Sequence, residues 1–216
     1  MLPTPDYSHL SSKDFEDVYE PAEDTFILLD ALEQDAHFLR ERKPKICLEI
    51  GSGSGVVSAF VSSILGGSSA LYLATDINQH ASQCTLRTAR QNKIQIDPLT
   101  AHLSDPFSPR LENQVDILIF NPPYVPTPKD EAITGQGTIT GAWAGGQDGM
   151  SITDVLLSKV QTLLSNTGVF YLVAIKQNDV PAIQRRMLEH FSLNSEVVLQ
   201  RRAGREHLFV IKFDKA

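Results

Sequence analysis

A chain of 216 residues is long enough for one domain that buries roughly 70% of the surface its unfolded form exposes, so no covalent staple is required. Nineteen basic residues against 26 acidic ones leave a net charge of −7, which argues against a broad phosphate-binding surface and makes nucleic acid a disfavoured direct substrate. The two cysteines lack ligand spacing, the first residues lack a basic and apolar leader, and no run approaches the roughly 18 apolar residues of a membrane span; a soluble protein of the reducing cytoplasm is expected, with access to the nucleus left open.

Residues 1–20 read as an N-terminal arm, polar and loose at its tip and docked near Phe15, Val18 and Tyr19, ahead of a single domain over 21–216. Proline in the first turn, acids where the helix dipole favours them, and Phe26, Leu28, Leu29 and Leu32 on or near one face predict a helix over 21–36. Lys45 to Ile50 reads as a short strand, Gly51-Ser52-Gly53-Ser54-Gly55 as a loop, and Val56, Val57, Phe60, Val61, Ile64 and Leu65 have helical spacing. The unit repeats with a strand over 70–75, Asp76 at its end, and a helix over about 78–91. A weaker third strand, Leu99 to Leu103, leads into Ser104-Asp105-Pro106, and a fourth runs from Val115 to Phe120.

After a Gly- and Thr-rich stretch over 127–150, whose marked apolar residue is Trp143, the alternation resumes with a helix over 151–164, a strand from Val169 to Ile175 and a helix over 179–190. Ser195 to Gln200 and Leu208 to Phe213 flank Arg201-Arg202-Ala203-Gly204-Arg205 and read as an antiparallel hairpin with its arginines in a solvated turn. The fold class is α/β, a seven-stranded mixed sheet with an antiparallel C-terminal hairpin and helices between the strands, on both faces.

Chemistry collects at the predicted strand ends. Glycines at 51, 53 and 55 let a ligand approach the backbone and leave helix N–H groups pointing at it. Their spacing is not the G-x-G-x-x-G dinucleotide fingerprint, and no Lys-Ser/Thr follows to make a phosphate-binding P-loop. Glu49, just ahead of the first glycine, would repel a pyrophosphate and suits a cationic ligand end. Asp76 is placed to accept from ribose hydroxyls, and Asp105 to take an adenine amino group. A ligand carrying an ammonium or sulfonium, a ribose and an adenine satisfies all three acids, although each alone also reads as a solvated strand-end carboxylate.

The fourth strand delivers Asn121-Pro122-Pro123-Tyr124. Two prolines stop the ladder and stiffen the turn. The Asn121 side-chain oxygen and the Pro122 carbonyl are two acceptors that could grip an –NH2 group, and Tyr124 offers a flat face to stack on a planar amide or base. A proline-terminated strand with a packed tyrosine is the plainer alternative.

Val18-Tyr19-Glu20-Pro21-Ala22-Glu23-Asp24-Thr25, the glycine loop with Leu48-Glu49-Ile50 before it, Thr75-Asp76-Ile77-Asn78, Phe120-Asn121-Pro122-Pro123-Tyr124-Val125 and Ala142-Trp143-Ala144-Gly145-Gly146 run through most of the chain. Together they resemble the class I S-adenosylmethionine-dependent methyltransferases, which have a Rossmann-like fold. Within the amino-methylating branch they are similar to the eukaryotic HemK-type glutamine methyltransferases, catalytic subunits that modify the Gly-Gly-Gln glutamine of the class I translation release factor. The resemblance implies S-adenosyl-L-methionine as donor, S-adenosyl-L-homocysteine as product, no metal in this chain, and a heterodimer with a small zinc-binding activator subunit. It implies that Tyr19, Thr25, Glu49, Gly51, Gly53, Gly55, Asp76, Ile77, Asp105 and Asn121 contact the donor. Asn121, Pro122, Pro123 and Tyr124 would receive the target, with Asn121, Pro122 and Tyr124 in catalytic roles.

An amide nitrogen is a poor nucleophile because its lone pair is delocalised into the carbonyl, so the expected mechanism is positioning by two acceptors, without a strong general base. The rivals are a protein-lysine methyltransferase, an adenine-N6 methyltransferase with Tyr124 stacked on a flipped base, and a catalytically idle donor-binding scaffold. The third strand, Leu99 to Leu103, would lie at the sheet edge, where unpaired backbone invites the activator subunit. His9, His37, His80, His102, His190 and His207 lack paired ligand spacing and receive structural or exposed roles, none catalytic. Trp143 either anchors a lid or pins a long loop.

Overall fold

The computed structural model describes residues 2–125 and 149–215. The expectations for Trp143, the 142–146 segment and most of the 127–150 stretch therefore lie outside the described residues. Seven strands form one sheet: β1 (Ile46–Ile50), β2 (Leu71–Asp76), β3 (Asp97–Thr100), β4 (Val115–Phe120), β5 (Leu164–Ile175), β6 (Leu193–Ala203) and β7 (Glu206–Lys215), in the order β3-β2-β1-β4-β5-β7-β6. The first five run parallel, and β7 is antiparallel to both β5 and β6, which makes the sheet mixed as the sequence leads one to expect.

The central strands are apolar throughout because both faces are covered. In β4, Ile117 and Ile119 join one core while Leu118 and Phe120 join the other; in β5, Val169, Tyr171 and Val173 alternate with Phe170, Leu172 and Ala174 in the same way. The first core is closed by α1 (Glu23–Gln34), α2 (Ala36–Glu41) and α3 (Val56–Leu65), with Ala89 of α4 (Gln79–Gln91) reaching it. The second is closed by α5 (Ser151–Leu163) and α6 (Val180–Phe191). After β3 the chain returns to the far side of β1 to make β4, so the strand order reverses between β2 and β4. A crevice opens beyond the carboxyl ends of strands at such a reversal.

Several elements differ from expectation. The first helix begins at Glu23 rather than Pro21, and a short second helix, α2, follows it. β3 covers Asp97–Thr100 instead of Leu99 to Leu103; Leu103 has φ 45 and is buried in the second core, so of the two proposed edge residues only Leu99 belongs to the strand. Pro98 agrees with the outer position of β3, since proline in sheets is confined to edges. The hairpin strands are longer than their apolar runs, and only Gly204 and Arg205 are left to turn between Ala203 and Glu206. Arg201 and Arg202 therefore lie within β6, and Arg201 pairs with Asp30 of α1 instead of lying in a solvated turn.

The arm is tied well before Phe15. Asn92 brackets Asp6, accepting from its N–H and donating to its carbonyl, each at 2.8 Å, and Gln91 bonds its carboxylate at 2.5 Å. Asp14 pairs with Arg87, and Leu10 and Val18 share a small apolar cluster with Ala81 and Cys84 of α4. Tertiary partners on α4 order an arm whose own composition is polar.

Candidate active site

Four strand ends line one cavity. From β1 come Glu49, Ile50 and the glycine loop, which is stapled to its neighbour strand: the N–H groups of Gly51 and Ser52 both donate to the Thr75 carbonyl, at 2.7 and 3.1 Å. Gly53 lines the cavity at φ 51, with nothing within 4 Å of where a Cβ would stand, and its N–H donates to Asp76 Oδ2 at 2.9 Å. Gly55 does not line the cavity. A Cβ there would sit 2.7 Å from Thr85 Cα, so this glycine lets α3 and α4 approach one another rather than touching a ligand.

Glu49 is 4% exposed and accepts from the backbone and the hydroxyl of Ser58. Burial pushes its carboxyl up to about 8, against the pull of those two hydrogen bonds, and the nearby Asp76 adds to the rise. Burial also raises Asp76, whose two oxygens accept from Gly53 and Asn78 N–H. Two mostly buried acids with no ion-pair partner among the described residues favour a ligand that brings positive charge. Ile77, beside Asp76, lines the cavity and is 46% exposed.

At the β4 end, Asn121, Pro122 and Pro123 line the cavity, as do Tyr19 and Thr25 opposite. Asp24, 4% exposed, ties these pieces together. It accepts from Asn121 Nδ2 at 3.0 Å, Tyr124 Oη at 3.1 Å, Tyr19 Oη at 3.2 Å and Thr25 N–H at 2.8 Å. With its amide nitrogen held, Asn121 turns Oδ1 the other way, and that buried atom has no partner among the described residues; nor does Thr75 Oγ1, on another lining residue. Burial and then the Asp24 carboxylate raise both tyrosine hydroxyls, and the same two causes raise Glu206 at the start of β7.

Besides Gly55, two expected site residues stand elsewhere. Tyr124 packs into the first core with its hydroxyl on Asp24 and does not line the cavity. Asp105 lies in a single helical turn beyond β3, half exposed, with one oxygen on Lys159 at 2.6 Å and the other on His102 at 3.1 Å. His102, given only a structural or exposed role from sequence, lines the cavity there, together with Ala101 and Leu103. Asp24 was legible only as a first-turn helix acid, since its partner Asn121 is 97 residues away. Asn78 was missed too: its side chain caps α4 through the His80 N–H and donates to the Asp17 carbonyl at 2.7 Å, fastening the arm against the cavity.

A family model described as the methyltransferase small domain matches residues 23–144. The chain is 49% identical to the Homo sapiens protein called methyltransferase HEMK2, over 99% of this chain and 97% of that one. It is 44% identical to the eRF1 methyltransferase catalytic subunit mtq2 of Schizosaccharomyces pombe, over 98% and 95%. Among solved structures it is similar to the E. cuniculi Mtq2-Trm112 complex, described as responsible for methylating the eRF1 translation termination factor. That likeness has a TM-score of 0.66 at 25% identity and covers 93% of this chain and 99% of the other.

Proposed function

We propose, from the premise that this chain belongs to the methyltransferase small domain family, that it methylates the side-chain amide of the Gly-Gly-Gln glutamine in the class I translation release factor. It does so as the catalytic subunit of a heterodimer with a small activator. The full-length likeness to the mtq2 subunit and to the Mtq2-Trm112 complex supports this reading. The observation that carries it is the Asn121 amide, fixed by Asp24 at its nitrogen and left without a partner among the described residues at its buried oxygen.

The residues present fit S-adenosylmethionine, which when bound supplies an electrophilic methyl group on a positively charged sulfur. Glu49 offers its carboxylate to the positive end, Asp76 keeps oxygen lone pairs for ribose hydroxyls, and Gly53 leaves room for close approach. Asn121 Oδ1 accepts one N–H of the target amide and the Pro122 carbonyl the other, which orients the nitrogen and stabilises the positive charge that builds on it. Alignment of this kind is worth effective molarities of about 10⁵ to 10⁸ M, so positioning supplies most of the rate.

The test is methyl transfer by the purified heterodimer to a Gly-Gly-Gln protein, a lysine-bearing peptide and DNA, side by side. Transfer to the glutamine protein, abolished when that glutamine is replaced, is expected. Transfer confined to lysine or to DNA would overturn the proposal, and donor binding without transfer to anything would make the chain a scaffold.

A further inference from the structure

We infer that Asn178 is a positioning residue for methyl transfer, which holds the 121–124 turn in place by donating to the Tyr124 carbonyl; this rests on the reading of that turn as the seat of the target amide. The need for an outside donor follows from the turn's own residues. Pro122 and Pro123 carry no N–H, and the parallel ladder between β4 and β5 stops at Phe120 and Leu172, while β5 runs on through Val173, Ala174 and Ile175 paired to β7 on its other side. The two proline rings fix φ at 122 and 123 but leave the far end of the turn to be fastened by other means. At its start the turn is held by that ladder and by Asp24 on Asn121 Nδ2. At its far end Tyr124 is held by its ring in the first core, its hydroxyl on Asp24 and its carbonyl on Asn178 Nδ2 at 3.3 Å.

Asn178 is placed by local structure, but its reach is long. β5 gives way to a single helical turn over Lys176–Asn178, and the Asn178 side chain folds back so that its Oδ1 accepts the Ile175 N–H at 2.8 Å. Asp179, at φ 53, then swings the chain into α6, whose first turn its carboxylate caps through the Ala182 N–H. One amide therefore joins the end of β5 to a carbonyl 54 residues earlier. Asn178 is 5% exposed and Tyr124 7%, so the bond is sheltered from water, a setting in which losing the donor costs more than it does at the surface. Gly149 closes the same spot. Its φ is 72, and a Cβ on it would stand 2.1 Å from the Tyr124 carbonyl oxygen and 2.8 Å from Asn178 Nδ2, so only glycine fits against this bond. Neither Asn178 nor Gly149 lines the cavity, while Asn121, Pro122 and Pro123 do, so a change at this brace reaches the reacting atoms through the turn. Where catalysis is mainly alignment, a misplacement of about 1 Å is enough to cost about 100-fold in rate.

The experiment measures donor affinity by calorimetry and single-turnover methyl transfer at saturating donor, for the chain with its activator subunit. Rates are expressed per donor-binding site, so unfolded protein does not count and a poorly behaved variant still reports. Asn178→Asp keeps an acceptor for the Ile175 N–H and loses the donor. At pH 8 it is expected to leave donor affinity within about threefold and to lower the transfer rate about 10- to 100-fold. Asn178→Ala and Gly149→Ala should show the same split. A buried carboxyl beside a carbonyl takes up a proton readily and can then donate, so the deficit of Asn178→Asp relative to wild type should shrink toward pH 6 while that of Asn178→Ala stays level. Unchanged transfer in Asn178→Asp and Asn178→Ala would overturn the inference, and so would rate and affinity falling together, the mark of a merely structural residue. A deficit in Asn178→Asp that does not respond to pH would overturn the hydrogen bond as its cause. A wild type that binds the donor and transfers nothing to the Gly-Gly-Gln protein, or an Asn121→Ala that transfers normally, would instead sink the reading of the turn beneath it.

Discussion

An asparagine amide has an accepting end and a donating end, and Asp24 holds the donating end of Asn121, which leaves its buried oxygen without a partner among the described residues. Replacing Asn121 by alanine is expected to leave donor affinity within about threefold while turnover falls about 100-fold, the scale seen when one preorganised partner of a developing charge is lost. Calorimetry with the donor beside single-turnover transfer separates the two; equal loss in both would make Asn121 mainly a donor contact. Glu49 makes a prediction about pH. Its folded carboxyl is raised to about 8 from the ordinary 4.5, so the ligand-free fold holds a proton that the unfolded chain releases, and stability present at low pH is lost as pH rises through that window. The melting temperature of the ligand-free wild type should therefore fall more steeply from about pH 5 to about pH 8 than that of Glu49→Gln, with Asp76 leaving a residual slope in both. A cationic ligand should flatten the wild-type curve, and Glu49→Gln should bind it more weakly.

Among elements, the arm and the edge strand carry the informative differences from the sequence reading. Polar composition made the arm look loose, because propensity says nothing of partners that α4 supplies from more than 80 residues away. Asn78 joins the α4 cap, the arm and Asp76, so Asn78→Ala should cost about 1 kcal/mol from the lost cap alone. It should also quicken tryptic cleavage after Lys13 and weaken donor binding; unchanged cleavage would show that the arm is held by its other contacts. β3 leaves its outer backbone unpaired among the described residues and is the seat we propose for the activator. Leu99→Glu should abolish co-purification of the two subunits while the isolated chain keeps its circular dichroism, and an undisturbed heterodimer would rule this seat out.

For the whole molecule, the two cores meet across a sheet apolar on both faces, and one polar cluster ties helix layer to hairpin. Lys212 of β7 contacts Asp35 at 3.0 Å and Glu196 at 2.6 Å and lies 4.3 Å over the Phe38 ring, while Tyr171 donates to Asp35 at 2.7 Å. Lys212→Met should cost about 2 kcal/mol in urea unfolding, below the loss for a fully buried pair because the Glu196 side chain is 64% exposed, and should leave donor affinity unchanged. By itself the amino-acid sequence determined the alternating strands and helices, the glycine loop, the strand-end acids Glu49 and Asp76 and the proline-stiffened turn at Asn121. Each is written in local periodicity or in a residue's own backbone limits. Tertiary structure alone decided that Asp24 holds Asn121, that Tyr124 is core, that Gly55 serves helix packing, and that His102 rather than Asp105 faces the cavity. Those outcomes depend on which distant groups the sheet order brings within hydrogen-bonding distance, and no local pattern encodes a distance through space.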